Sequence, residues 1–142
     1  MPTIPWTPRN RNGLTGESVV MASRLEVKSV TNTLNFFVQS MVVWRQVQKT
    51  PGLVGASLKA QPLSRTFWTL SAWESQEALD TFSRSDPHAR IIAKLRPVMK
   101  NSLFTFWQVD SAELPVSWEE AQRRLAEESS RAAGLLPDAR PA

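Results

Sequence analysis

The chain has 142 residues, of which 42% are hydrophobic and 21% charged, and these proportions are typical of one soluble globular domain. Cysteine is absent, which excludes thiolate metal sites and cysteine nucleophiles and favours a cytoplasmic location. The net charge of +4 is modest and forms no basic stripe interleaved with aromatic residues, so we expect no nucleic-acid partner. No apolar run approaches the length of a membrane span, and we expect no membrane partner.

The first 18 residues are rich in proline, arginine and asparagine, and they are predicted to form an extended arm rather than a secondary-structure element. Trp6 lies in this arm, and we expect its large apolar ring to pack on the protein or on a neighbouring subunit. Apolar and polar residues then alternate from Val19 to Val27, which predicts the first strand. This strand begins a single domain predicted to span residues 19–128.

A helix is predicted next, capped by Ser29 or Thr31 and continuing to about Lys49. Its apolar residues cover more than the usual stripe, so this helix is expected to be deeply covered or to lie at an interface. Alternation from Leu53 to Leu63 and an apolar run from Arg65 to Trp73 predict two further strands. The turn between them is short, and these two strands therefore form a hairpin.

The second helical pattern is interrupted once, and it predicts two helical pieces at residues 75–84 and 87–97. Proline is unfavourable inside a helix but suits its first position, so we expect Asp86 to cap the second piece and Pro87 to begin it. Alternation from Asn101 to Val109 predicts the fourth strand.

The C-terminal part of the chain contains one further helical pattern. Ser117 and Glu120 have the spacing of a capping box, and they predict a short amphipathic helix that ends near Glu128. Residues 129–142 are rich in alanine, arginine, glycine and proline, and they are predicted to form a disordered tail.

The order β-α-β-β-α-β, followed by a C-terminal helix, predicts a ferredoxin-like α+β fold with a four-stranded antiparallel sheet and both helices on one face. The last two strands of this sheet carry bulky apolar side chains on both faces, for example Phe67 beside Trp68 and Phe106 beside Trp107. An open sheet face would expose these aromatic groups to water. We therefore expect a homodimer in which two sheets pack face to face as a dimeric α+β barrel.

The run from Thr69 to Phe82, followed by Ser85-Asp86-Pro87-His88, resembles the antibiotic biosynthesis monooxygenase group of dimeric α+β-barrel proteins. The resemblance covers about residues 19–110. It implies a monooxygenase-like enzyme that acts on a planar, hydrophobic, polyketide-type metabolite without a tightly bound cofactor. The same barrel also hosts cyclases, isomerases and proteins without assigned activity. A non-catalytic protein that binds a ligand or a partner is therefore the alternative.

A haem-binding or haem-degrading monooxygenase is a third possibility, because one branch of the same group degrades haem. The pattern of that branch has an Asn on the first strand, and a Trp and a haem-ligating His on the second helix. The resemblance aligns these positions with Ser23, Phe82 and Ile92, and all three residues depart from the pattern. His88, the only histidine, lies one turn before the position of the ligand. We expect no metal site.

A cofactor-free oxygenase needs an apolar pocket, a base that deprotonates a phenolic substrate, and polar groups that hold the resulting anion. We predict His88 and Trp73 as catalytic residues, His88 as a neutral base at a helix start and Trp73 as a wall for a flat substrate. The predicted substrate-binding residues are Trp68, Trp107, Ser23, Phe82, Gln108 and Arg24. For the tryptophans, ordinary core packing is the alternative, and for His88 it is a partly exposed position at a helix terminus.

Overall fold

Within residues 3–8, 16–132 and 134, which the computed structural model describes, the chain forms five strands and four α-helices. In chain order they are β1 Thr3–Pro8, β2 Glu17–Val27, α1 Val30–Gln48, β3 Leu53–Gln61, β4 Thr66–Trp73, α2 Gln76–Arg84, α3 His88–Leu95, β5 Met99–Asp110 and α4 Trp118–Ala132. Short 3-10 turns at Pro62–Ser64, Arg96–Val98 and Ser111–Glu113 connect some of them.

The strands form one antiparallel sheet in the order β1-β3-β4-β2-β5. Strands β2 to β5 have the predicted ferredoxin-like arrangement, and the α+β class with four antiparallel strands is confirmed. β1 adds a fifth strand at the edge beside β3, so the expectation that the N-terminal arm contains no element is wrong. The indole of Trp6 packs on Gly55 of the same chain, where a Cβ would lie 2.3 Å from the ring and only glycine fits.

The helices begin and end close to the predicted boundaries. Ser29 caps α1 by accepting a hydrogen bond from the amide of Asn32, which decides between the two predicted caps. The boundary at Pro87 differs from the prediction, because Pro87 occupies the cap position of α3 and His88 is the first helical residue. Asp86 nevertheless stabilises the first turn, since its Oδ1 accepts from the amide of Arg90.

The two faces of the sheet are covered by different helices. Alternation along β2 directs Ser23 and Leu25 to the face that carries α1, α2 and α3, which we call the three-helix face. Val20 and Ala22 point to the opposite face, where they pack with Leu125 of α4; we call this the α4 face.

Helix α4 occupies the sheet face that was expected to pack against a second sheet. Ser117 caps it as predicted, by accepting from the amide of Glu120. The helix continues to Ala132, beyond the predicted end at residue 128, and the last part of the expected disordered tail lies outside the described residues. The guanidinium of Arg124 lies 4.7 Å from the centre of the Trp107 ring. Trp68 and Trp107, two of the aromatic groups that were expected to require a second sheet, thus pack with a helix of the same chain, whereas Phe106 remains exposed on the other face.

Candidate functional site

A cavity of about 300 Å³ lies between the three-helix face and the helices above it. This volume is at the lower end of the usual range for small-molecule sites. Its lining is mostly apolar and aromatic, with contributions from α1, α2, α3 and all the strands except β1. Phe104 and Phe106 of β5 line it while remaining 42% and 44% exposed, so the cavity reaches the protein surface beside this edge strand.

Hydroxyl groups lie on the sheet side of the cavity. Ser23 of β2 is opposite Thr69 of β4, and their hydroxyl oxygens are 2.5 Å apart. Two residues after Thr69 in β4, and on the same face, the Oγ of Ser71 accepts a hydrogen bond of 2.8 Å from the indole Nε1 of Trp73. Because each hydroxyl also has a hydrogen to donate, Ser71 and the Ser23–Thr69 pair can offer donors to an oxygen of a bound ligand.

Three aromatic rings connect the sheet to the helices at one wall of the cavity. Trp73 is 0% exposed, and its ring centre lies 5.2 Å from that of Phe82. The ring centre of Phe82 is in turn 4.7 Å from that of His88. This packing holds Trp73 and Phe82 in fixed positions, and it places the imidazole at the end of an aromatic row.

His88 is held at both its main chain and its ring. Its backbone amide donates to Oε1 of Gln46 at 2.8 Å, and its Nδ1 lies 3.0 Å from the carbonyl oxygen of Ser83. A carbonyl oxygen only accepts, so Nδ1 carries a proton and the lone pair of the neutral ring is on Nε2. Burial lowers the pKa of His88 below its ordinary value of 6.5, and the bond to the Ser83 carbonyl partly offsets this effect.

The neutral imidazole is therefore a chemically competent base. Among the described residues that line the cavity, His88 is the only one with a side chain that titrates between pH 2 and 12. A ring nitrogen with a lone pair in an apolar cavity can accept a proton from a bound acidic group. The lowered pKa of His88 favours the neutral ring that the sequence predicts, and burial is the main cause of the lowering.

Some predicted site residues are brought together and others are not. The four that line the cavity are His88, Trp73, Ser23 and Phe82. The three that lie on the α4 face are Trp68, Trp107 and Arg24. The sheet separates these three from the cavity, so they take no part in its lining.

The sheet register explains these placements. Arg24 is the cross-strand partner of Trp68 and lies next to Ser23 in β2, so it must point to the other face. Gln108 has the parity of the three-helix face, but it is exposed and does not line the cavity. Gln108 therefore does not contribute to this cavity.

Sequence reasoning did not single out Thr69, Ser71 or Gln46. The first two could have been found, since alternation along β4 places them on the same face as Trp73. Gln46 gives no such signal, because its contact to His88 joins positions 42 residues apart in two different helices.

The lining does not fit a haem. Ser23 and Phe82 line the cavity at two positions of the haem-degrading pattern, and Ile92 lines it at the position of the ligand. Within the described lining there is no lysine or arginine that could pair with the propionates. Nor does any group of three or more Asp, Glu or His side chains in the described ranges have an arrangement that could hold a metal ion. No helix in the described part of the chain is long and apolar enough to span a membrane.

The described residues form an α+β fold of the ferredoxin-like type, with the cavity between the sheet and its three helices. A solved structure from Nitrosomonas europaea, provisionally assigned as an antibiotic biosynthesis monooxygenase, has 12% identity and a TM-score of 0.61, and the match covers 73% of this chain and 98% of that one. SnoaB from Streptomyces nogalater, a cofactor-independent oxygenase, has 14% identity and a TM-score of 0.50 over 65% and 92% of the two chains. A protein from Shewanella oneidensis has 10% identity and a TM-score of 0.60 over 75% and 98%.

These likenesses establish a shared fold. Neither the scan against family models nor the search of curated proteins finds a match to this chain. The chemistry of the site therefore has to be argued from its own residues.

Proposed function

We propose that the protein is a monooxygenase-like enzyme that acts on a planar, hydrophobic, polyketide-type phenol without a tightly bound cofactor. The observation that carries this proposal is the neutral imidazole of His88, whose Nε2 has a lone pair, at the edge of an aromatic cavity. The likeness in fold to a cofactor-independent oxygenase supports the same class of chemistry.

The reaction starts with a proton transfer. His88 Nε2 takes the proton of a phenolic hydroxyl, and the negative charge spreads over the ring system to the carbon that is oxidised. Molecular oxygen is the oxidant: it receives electrons from this anion and forms a carbon–oxygen bond. Protonation gives a hydroperoxide, and loss of water leaves a carbonyl group, so that one oxygen atom enters the product and the other leaves as water.

The remaining side chains orient the substrate and stabilise its charge. Trp73 and Phe82 form an aromatic wall whose packing is fixed, and this wall suits the face of a flat ring system. The hydroxyls of Ser71 and of the Ser23–Thr69 pair donate to the oxygen on which charge develops. The mostly apolar lining lowers the local dielectric constant, which strengthens these hydrogen bonds.

Oxygen consumption with an anthrone as substrate tests this function. His88→Gln should lower kcat/KM by about 100-fold or more, which is the usual contribution of a general base. Trp73→Phe should lower it less, because the wall is kept and the bond to Ser71 is lost. Trp68→Phe is the matched control on the α4 face and should retain the wild-type rate. An unchanged rate in His88→Gln would remove the base from this mechanism.

Ligand binding without catalysis is the second candidate, and the scarcity of reactive groups favours it. A cavity with one titratable side chain has what a hydrophobic ligand needs for binding, while it has no second acid or base. Native mass spectrometry separates the two functions. A binding protein would retain an aromatic ligand with its mass unchanged in air, whereas an oxygenase would release an oxidised product.

We further propose that the protein is a cytoplasmic homodimer. Helix α1 exposes apolar side chains at Val30, Leu34, Phe37, Val38 and Val42. Such a row on the outside of one helix is more than the scattered apolar residues of an ordinary surface, and it supports burial against a second copy. Because α4 covers the other sheet face, the α1 row replaces the sheet as the proposed contact. Light scattering tests this, and a clean monomer at micromolar concentration would refute it.

A further inference from the structure

The amide of His88 has a partner from a distant part of the chain, the Oε1 of Gln46 at 2.8 Å. We infer that Gln46 is the positioning residue that fixes the proposed base in the cavity. This inference rests on the proposed function for its catalytic meaning, but the position of the ring can be measured whether or not the protein is an enzyme.

The start of α3 shows why a distant acceptor is needed. Pro87, at the cap position, has no side-chain acceptor for the first amides of the helix. The next amides bond locally, from Ala89 to the Ser85 carbonyl, from Arg90 to the Asp86 carboxylate and from Ile91 to the Pro87 carbonyl. The amide of His88 instead reaches α1, and Gln46 completes the helix start.

Gln46 is itself firmly held. Its main-chain carbonyl oxygen accepts hydrogen bonds from the amide of Lys49 and from the hydroxyl of Thr50 at the end of α1. The adjacent Val47 is buried against the sheet. The main chain at Gln46 is thus held at the end of α1, and the hydrogen bond from the His88 amide to the side-chain oxygen of Gln46 links this end of α1 to the first residue of α3.

Two anchors then decide where Nε2 lies. One is the main-chain bond to Gln46, and the other is the bond between Nδ1 and the Ser83 carbonyl. With only the ring anchor, the start of α3 can move away from α1, and the imidazole gains contact with water. Its pKa would then return towards 6.5, because burial is the main cause of the lowering.

An amide oxygen makes this bond without placing a charge beside the imidazole. The charged residues near the two positions in sequence are Arg45, Lys49, Arg84, Asp86 and Arg90. The carboxylate of Asp86 already accepts from the amide of Arg90. A glutamate at position 46 would keep an acceptor for the His88 amide but would add a negative charge, which stabilises the imidazolium. Gln46→Ala removes the acceptor for the His88 amide, whereas Gln46→Glu keeps an acceptor and adds a charge. The two substitutions therefore separate the effect of ring position from the effect of charge on the pKa of His88.

The experiment is an NMR titration of the single imidazole in the full chain, combined with ¹⁵N shifts that report which ring nitrogen carries the proton. Gln46→Ala should raise the pKa of His88 towards 6.5 and reduce the share of the Nδ1–H form. Gln46→Glu should retain the Nδ1–H form at high pH and raise the pKa further. Gln39→Ala, the same change two turns earlier on α1, should leave both readouts at their wild-type values.

Kinetics give the second readout. If the anthrone reaction is observed, Gln46→Ala should lower kcat by about 10-fold to 100-fold, as expected for a displaced catalytic group, with KM nearly unchanged. Gln46→Glu should recover most of this loss at pH values above the raised pKa of His88. The inference is overturned if Gln46→Ala leaves the titration and the tautomer unchanged, or if Gln39→Ala changes them equally. An inactive wild type with the expected NMR shifts would refute the proposed function and support the positioning role.

Discussion

Truncation of Leu125 tests whether α4 is an integral cover of the sheet. Leu125 is 1% exposed and packs with the apolar residues of the α4 face. Leu125→Ala removes three carbon atoms, which corresponds to about 2.4 kcal/mol at roughly 0.8 kcal/mol for each. A residual cavity raises the expected loss in the free energy of unfolding to about 3–5 kcal/mol. For a chain of this length, Tm should fall by about 3 °C for each kcal/mol.

Thermal and urea unfolding, followed by circular dichroism, measure this loss. Leu34→Ala is the matched control, because it removes the same three carbons from a side chain that is 71% exposed. Its effect on the unfolding of the monomer should be below about 0.5 kcal/mol. Equally small effects in both variants would refute the packing of α4 on the sheet, and they would reopen the face for a second subunit.

Four further predictions concern the site and the assembly. The rate of oxygen consumption should rise with pH along a limb whose apparent pKa is below 6.5, because only the neutral ring of His88 is a base; a limb above 6.5 would contradict this. The free energy of unfolding should fall as the pH drops from 6.5 to the folded pKa of His88, because only the unfolded chain binds the proton there, and His88→Gln should abolish this slope. Hemin should produce no Soret band of a histidine-ligated haem, and a band lost in His88→Gln would show that the cavity accepts one. Leu34→Glu should convert the proposed dimer to a monomer in light scattering, whereas Gln39→Glu on the same helix should not.

Most of the fold could be predicted from the sequence because its signals are local. Alternation in β2 to β5, the caps at Ser29 and Ser117, and the Asp86-Pro87 break each depend on neighbouring residues. The fifth strand was missed because the arm contains prolines and has no alternation. The role of α4 was missed because an amphipathic helix does not indicate which surface its apolar side packs on.

The candidate site was predictable only in part. Trp73 and Phe82 follow from their places at the end of β4 and on the buried side of α2, and His88 follows from being the only histidine. The tryptophans on the α4 face were assigned to the cavity because composition does not distinguish the two sides of a sheet. Register does distinguish them, and the pairing of Arg24 with Trp68 shows that both lie outside the cavity.

The attachment of α4 has a consequence for how this fold can assemble. A short connection after β5, including the turn Ser111–Glu113, keeps the helix beside the sheet. A tethered segment of this kind has an effective local concentration in the millimolar range for short linkers. A sheet from another molecule, present at a far lower concentration, would have to displace α4 from this face. The chain therefore discourages association through the α4 face and leaves the outer side of α1 as its more accessible apolar surface.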